Sequence, residues 1–327
     1  MQPLERKFGT RLTVAVVFTV GMLLTLMAVG LYLAGPQAVL QLLKQAGWGL
    51  VGLLLLLSLC NYALRTWRWL LFARAVKLEV PGRANALYYL AGFSMATTPG
   101  KLGEVLRLWL LKRGHDYGYH RSLPLMIGDR ISDLYGTLVL CLLAMAFLQN
   151  KLWVVALVAG LLGFATALLV WPQPVMTLID TVYSRLRRWP RVFAGARHTL
   201  RHTRRLLLPR TAWLALGASV AGWFAESLAL YFLLHALDSQ VSLAQAVFAF
   251  TFAMMLGGVS MLPGGLGATE AGLAAMLIGF NVDTASAVVA TALIRITTLW
   301  FAVGLGIVLL PWAVRTCNAH RALTVAI

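Results

Sequence analysis

Long, continuous apolar runs are the feature that most constrains how this chain can fold. Runs such as 12–34 and 46–70 are long enough for a helix to cross a hydrocarbon core of about 30 Å, since an α-helix rises about 1.5 Å per residue. A transmembrane β-barrel is excluded, because its strands would alternate apolar and polar residues. Only 12% of the residues are charged, about half the fraction typical of soluble domains. We therefore expect an all-α polytopic membrane protein.

The apolar runs divide into full spans and interrupted stretches. We predict six full spans, at 12–34, 46–70, 122–148, 152–172, 211–236 and 284–312. Two further stretches, 84–112 and 243–281, are each broken near the middle by Pro-Gly. Their shorter arms, of about 12 residues, cannot cross the membrane, so each stretch is predicted to form a re-entrant helical hairpin. The alternative is a pair of kinked spans in each place, which leaves the orientation of the other spans unchanged.

The positive charges predict the orientation, because cytoplasmic loops of membrane proteins are enriched in lysine and arginine. With the N-terminus inside, 22 basic residues fall on the cytoplasmic side and only Lys44 and Lys151 outside. The cytoplasmic set comprises Arg6, Lys7, Arg11, Arg65, Arg68, Arg74, Lys77, Arg83, Lys112, Arg113, Arg121, nine arginines within 185–210, Arg315 and Arg321. Both termini are therefore expected in the cytoplasm. The net charge of +17 then mostly reflects topogenic charge that faces anionic lipid headgroups rather than nucleic-acid binding. The basic loop at 176–210 either contacts those headgroups as interfacial helices or is a connector that obeys the positive-inside rule.

Three features recur in the same order in the two halves of the chain. "RTWRWLLFARAVKLEV" and "ESLALYFLLHALDSQV" end spans, Pro-Gly-x-Leu-Gly follows in each hairpin, and Arg-Ile-(Ser/Thr)-x-Leu begins at Arg130 and Arg295. The last two motifs are separated by 31 and 32 residues. The repeats are inverted in the predicted topology, which is an arrangement found in transporters. The predicted units are an N-terminal span (1–45), a first repeat (46–148), a connecting span and basic loop (149–210), a second repeat (211–314) and a cytoplasmic tail (315–327).

Charged residues at membrane depth are costly and therefore need partners or a function. Lys101, Glu104 and Arg107 share one helical face, where each neighbouring pair is spaced for an ion pair. Further acids and bases at depth are Asp129, Arg130, Asp133, Glu226, Glu270 and Arg295. Purely structural salt bridges would explain any one of them; as a set they favour a function. We expect the five carboxylates, Glu104, Asp129, Asp133, Glu226 and Glu270, to balance charge or carry protons.

The Pro-Gly breaks predict a binding site for anions. A helix that restarts after such a break points free N–H groups and the positive end of its dipole into the membrane, and glycine lets a headgroup approach the backbone. A simple kink without a ligand is the alternative. The residues predicted to hold a phosphate-containing headgroup are Gly100, Lys101, Gly103, Arg107, Arg130, Gly264, Gly265, Gly267 and Arg295. The first hairpin is the more basic of the two, and we expect the phosphate nearer to it.

The motifs "PGKLGEVLRLWLL", "DRISDL", "LPGGLGATEAGL" and "RITTLW" together resemble the lysylphosphatidylglycerol synthase transmembrane-region family over about 10–315. Asp129 departs from the Glu-Arg-x-x-Asp pattern frequent in that family, shortening the carboxylate. The resemblance implies a stand-alone lipid translocase without the aminoacylating domain, acting on a phospholipid or a polyprenyl-phosphate-linked sugar in a bacterial inner membrane. Its particular lipid stays open, since members are linked to several lipid classes.

No ATP-binding loop, nucleophile elbow or zinc motif is present in the sequence. We therefore expect a lipid flippase without a catalytic site, metal or cofactor. The alternatives are an ion-coupled transporter of a small soluble solute, a membrane enzyme acting on a lipid-linked substrate, and a scaffold for partner enzymes. Cys60, Cys141 and Cys317 show no pairing pattern, and the oligomeric state stays open.

Overall fold

The computed structural model describes residues 36–98, 102–149, 209–260 and 262–325, together with Gly21, Thr25 and Gly160. Apart from those three residues, the predicted spans 12–34 and 152–172 lie outside the described part, as do most of the basic loop and the turn at 99–101. The α-helices of the described part are α1 (Pro36–Ala75), α2 (Gly82–Ala91), α3 (Leu102–His115), α4 (Tyr119–Gln149), α5 (Pro209–Ala236), α6 (Leu243–Val259), α7 (Ala268–Gly279), α8 (Thr284–Arg295) and α9 (Phe301–Val325).

Four described segments are long and apolar enough to cross a membrane: Gly47–Ala75, Tyr119–Leu148, Arg210–Ala236 and Thr284–Ala322. They confirm helices at four of the predicted spans, those at 46–70, 122–148, 211–236 and 284–312. The last segment joins α8 to α9 through a single π-helical turn, Ile296–Trp300. The helix continues to Val325, so most of the predicted tail 315–327 is helical.

Two exposed tryptophans mark opposite ends of an antiparallel helix pair. Gly47, at φ 63°, interrupts α1, and Trp48 follows it with its side chain exposed. The apolar part of α1 then packs along α5, whose exposed Trp213 lies at the other end of the pair. Indole side chains concentrate at membrane–water interfaces. The two tryptophans are therefore placed as the membrane boundaries would require.

Both Pro-Gly stretches form pairs of short helices whose arms pack against each other. In the first pair, a short 3₁₀ turn (Gly92–Met95) follows α2, and a Cβ built on Gly103 of α3 would lie only 2.3 Å from the Gly92 carbonyl oxygen. In the second pair, a Cβ built on Gly257 of α6 would clash with the side-chain oxygen of Thr269 of α7. Glycine allows this approach in each pair. How deeply the hairpins enter a membrane stays a prediction.

Local signals explain where the second hairpin and the last span begin. Ser242 and Gln245 form a reciprocal capping box at the start of α6. Asp283 caps α8 by accepting hydrogen bonds from the Ala285 and Ser286 N–H groups. Hydrogen bonding from Ser286 lowers the pKa of Asp283, which lies before the last span. These caps satisfy N–H groups that the first helical turn leaves without backbone partners.

Packing between the two halves is reciprocal. The opening spans of the two predicted repeats, α1 and α5, pack against each other. Each closing span packs on the hairpin of the other half: α4 lies against α6, and α9 lies against α2 and α3. A two-fold axis that relates inverted repeats would produce this reciprocal packing of each closing span on the hairpin of the other half. The inverted repeat itself remains a prediction, and the packing supports it.

Candidate functional site

A cavity of about 500 Å³ lies between the two hairpins. Both halves line it, and the lining includes Phe93 and Met95 from the first hairpin and Gly264 and Gly265 from the second. Its charged lining consists of Arg65, Glu104, Arg107, Arg130, Asp133, Glu226 and Arg295. Leu134, Val259 and Leu262 also line the cavity and are exposed. The cavity thus combines a charged interior with an exposed apolar margin.

The tips of the two hairpins meet beside this cavity. A Cβ built on Gly264 would lie 3.3 Å from Cα and 3.5 Å from Cβ of Thr97. Gly264 has φ 61°, a left-handed conformation that glycine adopts without strain. Thr97 is the residue before Thr98, where the described part of the first hairpin's N-terminal arm ends. The contact between the tips therefore brings the two halves of the chain together at the cavity.

Arg68 anchors the charged network of the first half. Its side chain is fully buried in α1, and Nη2 lies 2.5 Å from Asp129 Oδ1 and 2.8 Å from Asp133 Oδ1. Nη1 donates to the Ser219 hydroxyl of α5. Asp129 and Asp133 are one turn apart on α4, so a single guanidinium bridges both of them. The network thereby ties three spans together.

Two further arginines extend this network towards the cavity. Arg65, one turn before Arg68, pairs with Asp133 at 2.7 Å. Arg107 of α3 lies 3.9 Å from the centre of the Tyr89 ring and donates from Nε to the Tyr89 carbonyl oxygen. Its Nη1 is 3.6 Å from Asp129 Oδ2. Ring stacking and ion pairing therefore hold Arg107 in place, although it still lines the cavity.

Arg130 is the most accessible arginine of this network, with 37% of its side chain exposed. Its Nε lies 3.2 Å from Glu104 Oε1, while Nη2 lies 3.1 Å from Asp129 and 3.3 Å from Asp133. Arg65, Arg68, Arg107 and Arg130 face three carboxylates, those of Glu104, Asp129 and Asp133. The seven side chains therefore carry one excess positive charge.

The second hairpin holds a closed ion pair instead. Arg295 lies with Nε 2.6 Å from Glu270 Oε1, and its Nη2 donates to the Gly264 carbonyl oxygen. The other carboxylate oxygen of Glu270 accepts from the Gly267 N–H at 2.6 Å. The start of α7 is thus already occupied by a carboxylate of its own helix, which stabilises a helix N-terminus as an external anion would.

Glu226 is buried on α5 and lines the cavity. The Asn61 amide of α1 donates to its Oε1. Within the described part of the chain, no arginine or lysine nitrogen lies within 4.0 Å of this carboxyl group. The other four predicted acids all have ion-pair partners, so Glu226 differs from them.

The predicted phosphate-binding residues have different surroundings in the structure. Gly103, Arg107, Arg130, Gly264, Gly265 and Arg295 line the common cavity. Gly267 does not belong to its lining, and its N–H is bound by Glu270. Gly103 also serves the close packing of its hairpin. Gly100 and Lys101 lie outside the described residues.

Two expectations from the sequence are wrong. Arg65 and Arg68, assigned to the cytoplasmic charges, pair with Asp133 and Asp129 between the helices instead, so 20 residues remain in the set expected on the cytoplasmic side. The ion pair expected between Glu104 and Arg107 is not found among the described residues. Arg107 turns instead to Tyr89 and Asp129, while Glu104 pairs with Arg130.

The sequence reasoning also missed Asn61, Tyr62 and Thr97, of which Tyr62 lines the cavity. One signal was available in the sequence: Asn61, Arg65 and Arg68 follow a spacing of four and then three residues. This spacing places polar side chains on one face of an otherwise apolar helix. Thr97 carries no comparable signal, because its role depends on where the other hairpin ends.

The fold and this site define a multi-pass helical membrane protein with a charged cavity between two broken helical stretches. Comparison with known proteins gives the family: the chain matches the Lysylphosphatidylglycerol synthase TM region over residues 12–306 and belongs to that family. A UPF0104 membrane protein of Methanothermobacter thermautotrophicus is 23% identical over 88% of this chain and 92% of its own length. One of Pyrococcus horikoshii is 23% identical over 86% of this chain and 92% of its own.

Proposed function

We propose that this protein is a lipid flippase of the bacterial inner membrane. It moves a lipid with a phosphate-containing headgroup, either a phospholipid or a polyprenyl-phosphate-linked sugar, between the leaflets. Both termini face the cytoplasm, and the basic loop contacts anionic headgroups there. The proposal requires no catalytic group and no cofactor. The chain belongs to the family of the lysylphosphatidylglycerol synthase membrane region, and this membership supports a lipid as the substrate.

The main support for the proposal is that the cavity has both a charged interior and an exposed apolar margin. Its interior presents arginines to a polar headgroup, while Leu134, Val259 and Leu262 form an exposed apolar margin. An amphiphile needs both, since its headgroup must leave water while its tails stay in hydrocarbon. A carrier of small polar solutes has no comparable use for an apolar opening.

Arg130 is the first contact that we assign to the headgroup phosphate. It is the most accessible of the four arginines in a network with one excess positive charge, and guanidinium groups bind phosphate through two parallel hydrogen bonds. Glu104 would be the counter-charge that the phosphate displaces. Arg295 is held by Glu270 and the Gly264 carbonyl, so we assign it a later contact, made when the second hairpin moves.

Alternating access would work by separating the hairpins. In the structure the tips meet at Thr97 and Gly264. Movement of one half against the other would open each side in turn, as in other transporters built from inverted repeats. The reciprocal packing of α4 on α6 and of α9 on the first hairpin supplies the surfaces for such movement.

Lipid inversion in proteoliposomes tests this proposal. Purified protein is reconstituted with chain-labelled lipids, and an impermeant quencher measures how fast the inner-leaflet label appears outside. The panel contains phosphatidylglycerol, phosphatidylethanolamine, a polyprenyl-phosphate sugar and a phosphate-free glycolipid. We expect protein-dependent inversion of at least one phosphate-containing lipid and not of the phosphate-free one.

Variants locate the activity in the cavity. Arg130→Ala and Glu104→Gln should slow inversion at least tenfold, whereas Arg315→Ala, at an exposed position of α9, should leave it unchanged. Inversion of no lipid in the panel would reject the flippase. Release of a product of altered mass would instead favour an enzyme.

A further inference from the structure

Glu226 differs from the other acids predicted at membrane depth because, among the described residues, no arginine or lysine pairs with it. The carboxylates of Glu104, Asp129, Asp133 and Glu270 each lie within 3.2 Å of an arginine nitrogen. Glu226 is buried like Asp129 and Asp133, yet its described polar partner is the Asn61 amide. A carboxylate without a cation is strongly disfavoured away from water, whereas the neutral acid is not.

The charged groups that face Glu226 are already engaged with other partners. Arg65 on α1 pairs with Asp133 of α4 at 2.7 Å, and Arg295 on α8 pairs with Glu270 of α7 at 2.6 Å. The Tyr62 hydroxyl on α1 donates to the Thr298 carbonyl oxygen. Helix α6, which also packs on α5, contains no charged residue. None of these elements therefore supplies a free positive charge to Glu226.

Asn61 provides a second, independent indication. Its side chain is fully buried, and its Nδ2 donates to Glu226 Oε1, but its Oδ1 is a buried acceptor with no donor among the described residues. Leaving a buried acceptor unpaired costs about 1–3 kcal/mol. A protonated Glu226 can donate its O–H to that oxygen, which closes an acid–amide pair with two hydrogen bonds. Exchanging the amide oxygen and nitrogen would place two oxygens face to face, a contact that also needs a proton.

We propose that Glu226 is a proton-binding site, occupied in this conformation, through which transport is coupled to the proton gradient. The coupling rests on the proposed flippase function, whereas the proton site does not. Glu226 lines the cavity, so it can exchange its proton with water that enters when the hairpins separate.

Loss of the proton would act directly on contacts that hold each half together. The bare carboxylate would attract Arg65 away from Asp133 and Arg295 away from Glu270. Arg65 joins α1 to α4, and Arg295 joins the last span to the second hairpin. Deprotonation thus weakens two ties that hold the present arrangement, which is how a proton movement can drive a change of access.

Infrared spectroscopy tests the proton site without any transport. In pH-difference spectra of the reconstituted protein, the wild type should show the carbonyl band of a protonated carboxyl group, and Glu226→Gln should lack it. Glu104→Gln removes an ion-paired carboxylate of the same cavity and should retain the band. In case Glu226→Gln fails to fold, Asn61→Leu should shift the band to higher frequency, since it removes a hydrogen bond to the carbonyl. A wild type without the band, or a band unaffected by both substitutions, would overturn the proton site.

Lipid inversion under an imposed pH gradient tests the coupling. Wild-type inversion should change severalfold when the gradient is reversed, whereas Glu226→Gln should invert lipid at one rate for both directions. A wild-type inversion rate that does not depend on the gradient, or a Glu226→Gln rate that still does, would overturn the coupling. Neither result would contradict the flippase function. Absence of inversion in every condition would reject the flippase, and the infrared band would still decide whether Glu226 binds a proton.

Discussion

Arg295 places its Nε 2.6 Å from Oε1 of Glu270, and the same two atom types meet at 3.2 Å between Arg130 and Glu104. In both pairs a closing span holds the hairpin of its own half. The two arginines differ in exposure, since 37% of the Arg130 side chain is accessible against 7% for Arg295, while the two glutamates are similarly exposed. One ion pair is therefore closed, while the other faces the cavity and can exchange partners.

This difference predicts that Arg295→Gln lowers stability more, whereas Arg130→Gln slows lipid inversion more. Arg295→Gln leaves Glu270 without its cation and should destabilise the protein by about 3 kcal/mol, within the range for breaking a buried pair. Arg130→Gln removes a more exposed partner and should cost about 1 kcal/mol, yet it should slow lipid inversion more. Thermal unfolding in detergent and the inversion assay measure the two effects. Equal melting temperatures for both variants would contradict the assignment of a closed and an open pair.

Two glycines of α9 test the packing of the last span on the first hairpin. A Cβ at Gly306 would lie 2.2 Å from the Ser94 backbone nitrogen, whereas nothing lies within 4 Å of one at Gly304. Gly306→Ala should therefore lower the melting temperature markedly, because backbone must move. Gly304→Ala should keep or raise it, since alanine favours a helix by up to about 1 kcal/mol. Similar melting temperatures would show that α9 does not pack there as described.

Arg68 should be the arginine on which the folded state depends most. Arg68→Met removes the buried bridge between Asp129 and Asp133 and should destabilise the protein by about 3–5 kcal/mol. Arg74→Met, on an exposed position of the same helix, should cost less than about 0.5 kcal/mol. Detergent unfolding curves compare the two. A tolerated Arg68→Met would mean that packing alone holds α1, α4 and α5 together.

The helical class, four of the spans and the interruption of both hairpin stretches could be predicted from the sequence, because apolar length and Pro-Gly are local signals. The pairing of Arg130 with Glu104 could not be read from spacing, since Arg107 offers Glu104 a closer partner along the chain. Arg107 stacks on Tyr89 instead, and that ring comes from another helix. Arg65 and Arg68 were misplaced for the same reason: their partners on α4 lie more than 60 residues away.

A disulfide between the hairpin tips tests whether the lipid headgroup passes between them. Thr97→Cys and Gly264→Cys are combined after Cys60, Cys141 and Cys317 are replaced by alanine. The Thr97 Cβ lies 3.5 Å from a Cβ built on Gly264, within the range of about 3.5–4.5 Å for disulfides. The left-handed backbone at position 264 should cost about 1–2 kcal/mol with cysteine, and the two single-cysteine variants control for it.

Lipid inversion is then measured in proteoliposomes before and after reduction. We expect the oxidised double variant to lose inversion, reduction to restore it, and neither single variant to respond to oxidation. Inversion at an unchanged rate with the tips fully cross-linked would contradict passage between the hairpins.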